Sequence, residues 1–156
     1  MIQASGASGQ GIGALAGAKG DVAPVAPAAL RLPAPRHAGL ARRGQALLEG
    51  RIVLAGRAFD LPATAWADTG PWAGARALLG PDARVQAAVH GFGWLDDLAA
   101  LGTAPARQLA RRWVFGWMAA HGGGAGRGRG RGPAWAPEVA ARRLMRWLGN
   151  GRLLLT

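Results

Sequence analysis

Two residue types are absent from this chain of 156 residues: it contains no cysteine and no tyrosine. Without cysteine it can form no disulfide, no zinc–thiolate centre and no cysteine nucleophile. Without tyrosine it supplies no phenolic acid or base. These 156 residues therefore cannot supply a thiol or a phenol to any reaction.

Long apolar runs are missing as well. No window reaches the roughly 18 uninterrupted apolar residues of a membrane span. The opening residues also lack the basic stretch and apolar run of a secretory signal. We therefore expect a soluble protein without a membrane partner, located in the cytoplasm, with the periplasm as the alternative.

Acidic residues are scarce, with 8 against 19 basic residues and a net charge of +11. The basic residues are 18 arginines and the single Lys19. Such a balance suits an anionic partner, either nucleic acid or an acidic polysaccharide. The alternative is coding bias, because arginine, alanine, glycine and proline are abundant together.

The first part of the chain is rich in glycine, alanine and proline. Residues 1–36 are predicted to be a flexible or extended leader, because their prolines interrupt any helix. A short helix is predicted from Gly39 to about Leu48, followed by a short strand or hairpin around residues 55–57. The next loop carries Trp66 and Trp72 as apolar anchors.

Three longer helices are predicted after this segment. The first starts after Gly80, with Pro81 and Asp82 in its first turn, and continues to Gly102 with an apolar stripe at three- and four-residue spacing. The second begins at Thr103 as N-cap and ends near Gly122, and the third begins at Pro137. The sequence thus predicts a mainly α fold of antiparallel helical hairpins preceded by a short β or loop segment.

The residues contain no convincing catalytic, metal or cofactor site. His37, His90 and His121 do not have the spacing of a metal-binding pattern. Asp96 and Asp97 are adjacent, so on a helix they point about 100° apart and do not form an acid–base pair. We expect no catalytic residue, no metal and no cofactor in this chain.

The stretch VHGFGWLDDL, residues 89–98, is the first candidate binding cluster. His90 and Trp94 are four residues apart, so on a continuous helix they share one face. An imidazole beside an indole suits a sugar, whose ring stacks on the aromatic face and whose hydroxyls bind the polar edge. The alternative is that both are packing residues.

The stretch AWAPEVAARRLMRWL, residues 134–148, is the second cluster. Trp135 precedes a helix start, Arg143 lies two turns into that helix, and Trp147 follows one turn later. An arginine fork binds a carboxylate or sulfate through two hydrogen bonds. The alternative is that Arg142, Arg143 and Arg146 form a solvated basic face.

Both clusters resemble motifs of one protein family. VHGFGWL resembles the L-H-Y-F-D-W-L type motif near the start of the heparinase II/III-like polysaccharide lyases, in the variant of bacterial members without an obvious signal sequence. Trp135, Pro137, Arg143 and Trp147 stand at the spacing of the family's W-x-P-x-x-x-x-x-R-x-x-x-W motif. The resemblance covers roughly residues 40–156.

This resemblance implies a partial (α/α) toroid over residues 37–156, which in the family is followed by a β-sandwich domain. The family cleaves uronic-acid polysaccharides by β-elimination, which depends on neutralising the uronate carboxylate. The family's catalytic tyrosine, histidine and asparagine lie beyond the matched region. We therefore expect an N-terminal piece of a lyase, truncated before the rest of the protein, that binds acidic polysaccharide through His90, Trp94, Trp135 and Arg143.

Two observations bear on this expectation. The apolar end at Leu153, Leu154 and Leu155 suggests packing against a missing C-terminal part of the same protein. Arg146 stands where the family often has asparagine before the final tryptophan, which departs from the pattern of substrate contacts.

Two other functions remain open from the sequence. The run GRGRGRG carries Arg127, Arg129 and Arg131, and such segments bind single-stranded nucleic acid through charge and arginine stacking. Its position between two helices, and its lack of interleaved aromatic residues, favour a solvated loop instead. The third hypothesis is a non-catalytic helical module that presents exposed apolar residues to a partner.

The 156-residue chain is expected to show no eliminative cleavage of heparan-type or alginate substrates, because it has no tyrosine to act as the family's acid and base. The measurement is ultraviolet absorbance from newly formed unsaturated uronate. Robust formation of that product by this chain would contradict the prediction.

Overall fold

The computed structural model describes residues 33–35, 37–64, 70–72, 74–122 and 132–155. The predicted leader lies outside these ranges apart from residues 33–35, and so do Trp66 and the arginine–glycine run. The described part is mostly helical, as predicted. Its elements in chain order are α1 (Ala41–Leu48), β1 (Arg51–Leu54), β2 (Arg57–Asp60), α2 (Ala75–Leu79), α3 (Ala83–His90), α4 (Gly93–Leu101), α5 (Ala104–Gly122), a 3₁₀ turn (Pro133–Trp135), α6 (Pro137–Gly149) and α7 (Gly151–Leu155).

The predicted hairpin is confirmed. β1 and β2 pair antiparallel, with Leu54 opposite Arg57 at the turn. Ala55 and Gly56 form a two-residue turn with φ angles of 49° and 79°, the positive values that match the twist of a hairpin. Ile52 and Leu54 are buried, so one face of β1 packs on the helices.

The predicted helix starts at Thr103 and Pro137 are confirmed, and the first helix, predicted with Pro81 and Asp82 in its first turn, begins one residue after Asp82, which is its N-cap. The Asp82 carboxylate accepts a hydrogen bond of 2.8 Å from the Arg84 amide at the start of α3. The Thr103 hydroxyl accepts one of 3.4 Å from the Ala106 amide at the start of α5. Pro137 stands at the first position of α6, where its missing N–H costs nothing.

The prediction of one helix from after Gly80 to Gly102 is wrong. It breaks into α3 and α4 because Phe92 adopts a left-handed conformation with φ of 61°. This conformation turns the Phe92 ring into the core, where it is fully buried and stacks on Trp72 at 5.5 Å between ring centroids. The strain at Phe92 is therefore offset by aromatic packing.

The core lies where α4 and α5 cross the segment that carries Trp72. The Trp72 indole N–H donates to the Trp113 carbonyl at 2.7 Å, and the Trp113 ring is fully buried. Leu153 of α7 also belongs to this core, whereas Leu155 is exposed. Leu154 is partly buried against the same core, so the expectation that all three C-terminal leucines pack against a missing part is wrong for Leu153 and Leu154.

Helix α1 lies very close to α4 through two glycines. A Cβ atom added to Gly39 would collide with the main chain of Asp96, and one added to Gly44 with the Asp97 carbonyl. The Asp97 carboxylate also accepts a hydrogen bond of 2.8 Å from the Leu40 amide. These contacts fix the start of α1 on α4.

A substitution on α1 tests this close approach. Gly44→Ala is expected to lower the free energy of unfolding by about 1–3 kcal/mol, because the added methyl group forces α1 away from α4. Gly122→Ala is the matched control, since it is also helical but has open space around its Cβ position. It should leave stability unchanged or raise it by up to about 1 kcal/mol. Equal denaturant midpoints for the two variants would contradict the described contact.

Candidate functional site

The Arg143 side chain joins the two sequence motifs. It is only 5% exposed, and its Nη1 donates to the Ala134 carbonyl at 2.7 Å and more weakly to the His90 carbonyl at 3.4 Å. Ala134 precedes Trp135 of the second motif, and His90 belongs to the first. A single guanidinium thus ties the 3₁₀ turn to the end of α3.

Three tryptophans surround the Arg143 guanidinium. Its central carbon lies 4.0 Å from the Trp117 ring centroid, 5.1 Å from that of Trp135 and 5.8 Å from that of Trp147. Burial lowers the pKa of Arg143 from its ordinary value. No described carboxylate pairs with Arg143, so aromatic faces and carbonyl dipoles stabilise its charge.

His90 lies beside this cluster at the end of α3. It is 5% exposed, and its Nδ1 accepts a hydrogen bond of 3.1 Å from the Trp117 indole N–H. Burial lowers the pKa of His90 to about 4, with smaller contributions from His121 and Arg143. His90 is therefore a neutral imidazole at neutral pH.

His121 completes a pair that the sequence motifs did not reveal. Its ring stacks on Trp117 at 4.8 Å, lies 5.2 Å from the His90 ring, and has Nδ1 3.3 Å from the Trp117 carbonyl oxygen. The sequence predicted His121 only as a helix end. The signal that points to it is its four-residue spacing from Trp117, which puts both on one face of α5.

The two histidines line a cavity of about 600 Å³, called the histidine cavity below. Trp72 and Gln86 form further parts of its wall, together with Pro133 beside the 3₁₀ turn. The cavity therefore combines aromatic and polar groups, as small-molecule binding sites do.

Trp94 and Trp135 lie in different surroundings. Trp94 is 3% exposed, donates its indole N–H to the Val89 carbonyl at 3.2 Å and packs against Trp113. The predicted shared face of His90 and Trp94 is wrong, because the chain turns at Phe92 between α3 and α4. Trp135 is partly buried in the 3₁₀ turn and contacts the Trp117 ring at 5.5 Å.

A larger cavity of about 860 Å³ lies between α1, β1, α3, α4 and α6. Its walls carry the arginines Arg43, Arg142 and Arg146, and the small residues Gly91 and Gly93 form part of its lining. We call it the arginine groove. The sequence did not predict it, because its arginines come from helices about 100 residues apart in the chain.

The three arginines of α6 have three different environments. Arg142 is exposed, Arg143 is buried, and Arg146 pairs with Asp96 at 2.9 Å while also donating to the Gly91 carbonyl at 2.8 Å. The Asn150 amide donates to the same Asp96 carboxylate at 2.7 Å. The alternative of one solvated basic face therefore holds only for Arg142.

The acidic residues of the arginine groove leave two arginines unpaired. Asp96 is engaged by Arg146, and burial raises the pKa of Asp97 against the opposing effects of the Leu40 amide and Arg43. Within the described ranges, neither Arg43 nor Arg142 has an ion-pair partner. Arg43 acts on Asp97 without a contact ion pair and Arg142 is exposed, so both guanidinium groups keep donors for an anionic ligand.

No described cluster of three or more histidine, aspartate or glutamate side chains is arranged to hold a metal ion. Among the described helices, none is both long and apolar enough to cross a membrane. Comparisons of the chain with protein-family models, with curated proteins and with solved structures found no match.

The lowered pKa of His90 predicts a pH-dependent stability. The folded chain holds this histidine neutral down to about pH 4, whereas the unfolded chain binds the proton near pH 6.5. Stability from this group is therefore fully present above pH 6.5 and is lost as the pH falls to about 4. We expect a loss on the order of 2 kcal/mol over that range, measured by denaturant unfolding.

His90→Asn provides the control, because the Asn side-chain oxygen can accept from Trp117 in place of Nδ1 and does not titrate. Its free energy of unfolding should fall less between pH 6.5 and 4 than that of the unchanged chain. Parallel pH profiles for the two proteins would contradict the assignment of a neutral, buried His90.

Proposed function

We propose that this chain is part of a heparinase II/III-like polysaccharide lyase. In this proposal residues 37–156 contribute helical pairs to an (α/α) toroid and bind an acidic polysaccharide chain. Helices α4 and α5 support it, because they are joined by only Gly102 and Thr103 and pack on each other.

The observation that carries the proposal is the meeting of the two motifs at Arg143. The two residues that meet, His90 and Arg143, are 53 positions apart in the chain. Arg143 of the second motif bonds to the main chain of His90 in the first and of Ala134 beside Trp135. Two motifs that belong to one family fold are expected to form one structural unit in this way.

These contacts assign Arg143 a positioning role. Its Nη1 is bonded to main-chain carbonyls, and tryptophan rings surround its guanidinium. A uronate carboxylate would have to displace those groups to reach it. In the proposal Arg143 and Trp135 therefore shape the binding region, and other arginines meet the substrate.

The arginine groove supplies those groups. Arg43 and Arg142 line it without described ion-pair partners, and a guanidinium recognises a carboxylate or sulfate through two parallel hydrogen bonds. The net charge of +11 adds a field that draws a polyanion towards the chain. Uronate units of an acidic polysaccharide fit this combination.

The proposed contribution is binding and orientation. Elimination next to a uronate carboxylate needs that carboxylate neutralised, a base to remove the neighbouring proton and an acid to protonate the leaving oxygen. Arginines in the groove supply the positive charge that neutralises the uronate carboxylate. The tyrosine that serves the family as acid and base has no counterpart in this chain.

A pair of double variants tests the groove. Arg43→Gln with Arg142→Gln should weaken binding of a glucuronate-containing oligosaccharide at least tenfold at physiological ionic strength, measured by isothermal titration calorimetry. The control is Arg42→Gln with Arg84→Gln, which removes the same charge from exposed positions outside the groove. Its affinity should change by less than about threefold.

Equal losses in the two double variants would contradict groove binding and would indicate only a non-specific charge effect. A random single-stranded oligonucleotide of matched charge is the second ligand. Tighter binding of the oligonucleotide than of the oligosaccharide would contradict the proposal and favour the nucleic-acid hypothesis.

A further inference from the structure

Trp117 fixes the hydrogen-bonding character of His90. An indole N–H is a donor only, so the His90 Nδ1 that it contacts at 3.1 Å must present a lone pair. The proton of the neutral His90 ring therefore resides on Nε2. His90 offers its remaining nitrogen as a donor.

The same tryptophan fixes the tautomer of His121, with the proton on the other ring nitrogen. The Trp117 carbonyl oxygen is an acceptor only, so His121 Nδ1 at 3.3 Å must donate its proton to it. The Nε2 atom of the neutral His121 ring then presents a lone pair. Through its side chain and its main chain, Trp117 thus makes one histidine an outward donor and the other an outward acceptor.

Both imidazoles line the histidine cavity, and their ring centroids are 5.2 Å apart. Neither Nε2 atom has a hydrogen-bond partner among the described residues. The His90 side chain is almost completely buried, and its Nε2 keeps access to the cavity. A ligand that binds there replaces the water that otherwise meets the two Nε2 atoms.

The donor–acceptor arrangement suits a hydroxyl group better than a metal ion or an anion. A metal ion needs lone pairs, and His90 Nε2 carries a proton in place of one. A carboxylate or sulfate could meet Arg76 in the cavity wall and the His90 donor, but it offers no proton to the His121 lone pair. A hydroxyl group satisfies both atoms, because it accepts one hydrogen bond and donates another.

We propose that His90 and His121 form a subsite for uncharged sugar hydroxyls in the histidine cavity. His90 Nε2–H donates to a hydroxyl oxygen, and His121 Nε2 accepts a hydroxyl proton from the same or a neighbouring group. The choice of a sugar as the hydroxyl-bearing ligand rests on the proposed function. Trp72 and Pro133 in the cavity wall offer the apolar contact that a sugar ring uses.

The protonation states agree with this subsite. Burial lowers the pKa of His90 to about 4 and also lowers that of His121, although the His121 hydrogen bond to the Trp117 carbonyl opposes the second effect. Both rings are therefore neutral at pH 7, as the paired donor and acceptor require.

The first test needs no ligand. Long-range ¹H–¹⁵N spectra of the chain at pH 7 report directly which ring nitrogen carries a proton. We expect the Nε2–H tautomer for His90 and the Nδ1–H tautomer for His121. The opposite tautomer at either residue, or a protonated ring, would overturn the inference.

The second test uses methyl glucoside, the uncharged counterpart of a glucuronate unit. Its titration should shift the ring signals of His90 and His121 saturably and leave those of the exposed His37 unchanged. His121→Phe keeps a ring on Trp117 but removes the acceptor, and His90→Met keeps a weak sulfur acceptor for the Trp117 indole but has no donor. Each should weaken glucoside binding at least tenfold, with a cooperative melt showing that the variant is folded.

Other outcomes would overturn the subsite. These are unchanged glucoside affinity in folded variants, no saturable shift in the unchanged chain, or Zn²⁺ binding that depends on both histidines. Failure of the histidine subsite is distinguishable from failure of the proposed function. Glucoside binding does not involve Arg43 or Arg142, whereas oligosaccharide binding in the groove does.

Discussion

The buried cation of Arg143 is the contact on which the rest of the candidate region depends. Its guanidinium lies among Trp117, Trp135 and Trp147 and bonds to the main chain of Ala134 and, more weakly, His90. A buried charge without a carboxylate partner tolerates few other positions, because each lost contact would leave it uncompensated. These contacts fix the positions of α3, α5 and the start of α6 relative to one another.

Trp117 connects the Arg143 cluster to the two histidines. Its ring packs under Arg143, its indole N–H bonds to His90, and its carbonyl oxygen receives the bond from His121. About one turn further along α6, Arg146 connects Asp96 to the Gly91 carbonyl, and Gly91 and Gly93 leave room beside its guanidinium. The histidine cavity and the arginine groove thus depend on neighbouring residues of one helix.

Local signals made part of this structure predictable. Asp82, Thr103 and Pro137 mark helix starts through bonds within one turn, and the hairpin at Ala55 and Gly56 is equally local. The left-handed Phe92 was missed because its conformation depends on stacking against Trp72, 20 residues away. The burial of Arg143 and the pairing of His90 with His121 were missed for the same reason, since they require contacts between distant helices.

The most direct test of the central claim compares two ligands of equal length on the unchanged chain. Isothermal titration calorimetry would measure the affinity for a glucuronate oligosaccharide and for its neutral glucose counterpart at two salt concentrations. The account predicts tighter binding of the glucuronate form, with an affinity that falls as salt rises. Equal affinities for the two ligands, or no binding of the glucuronate form, would contradict it.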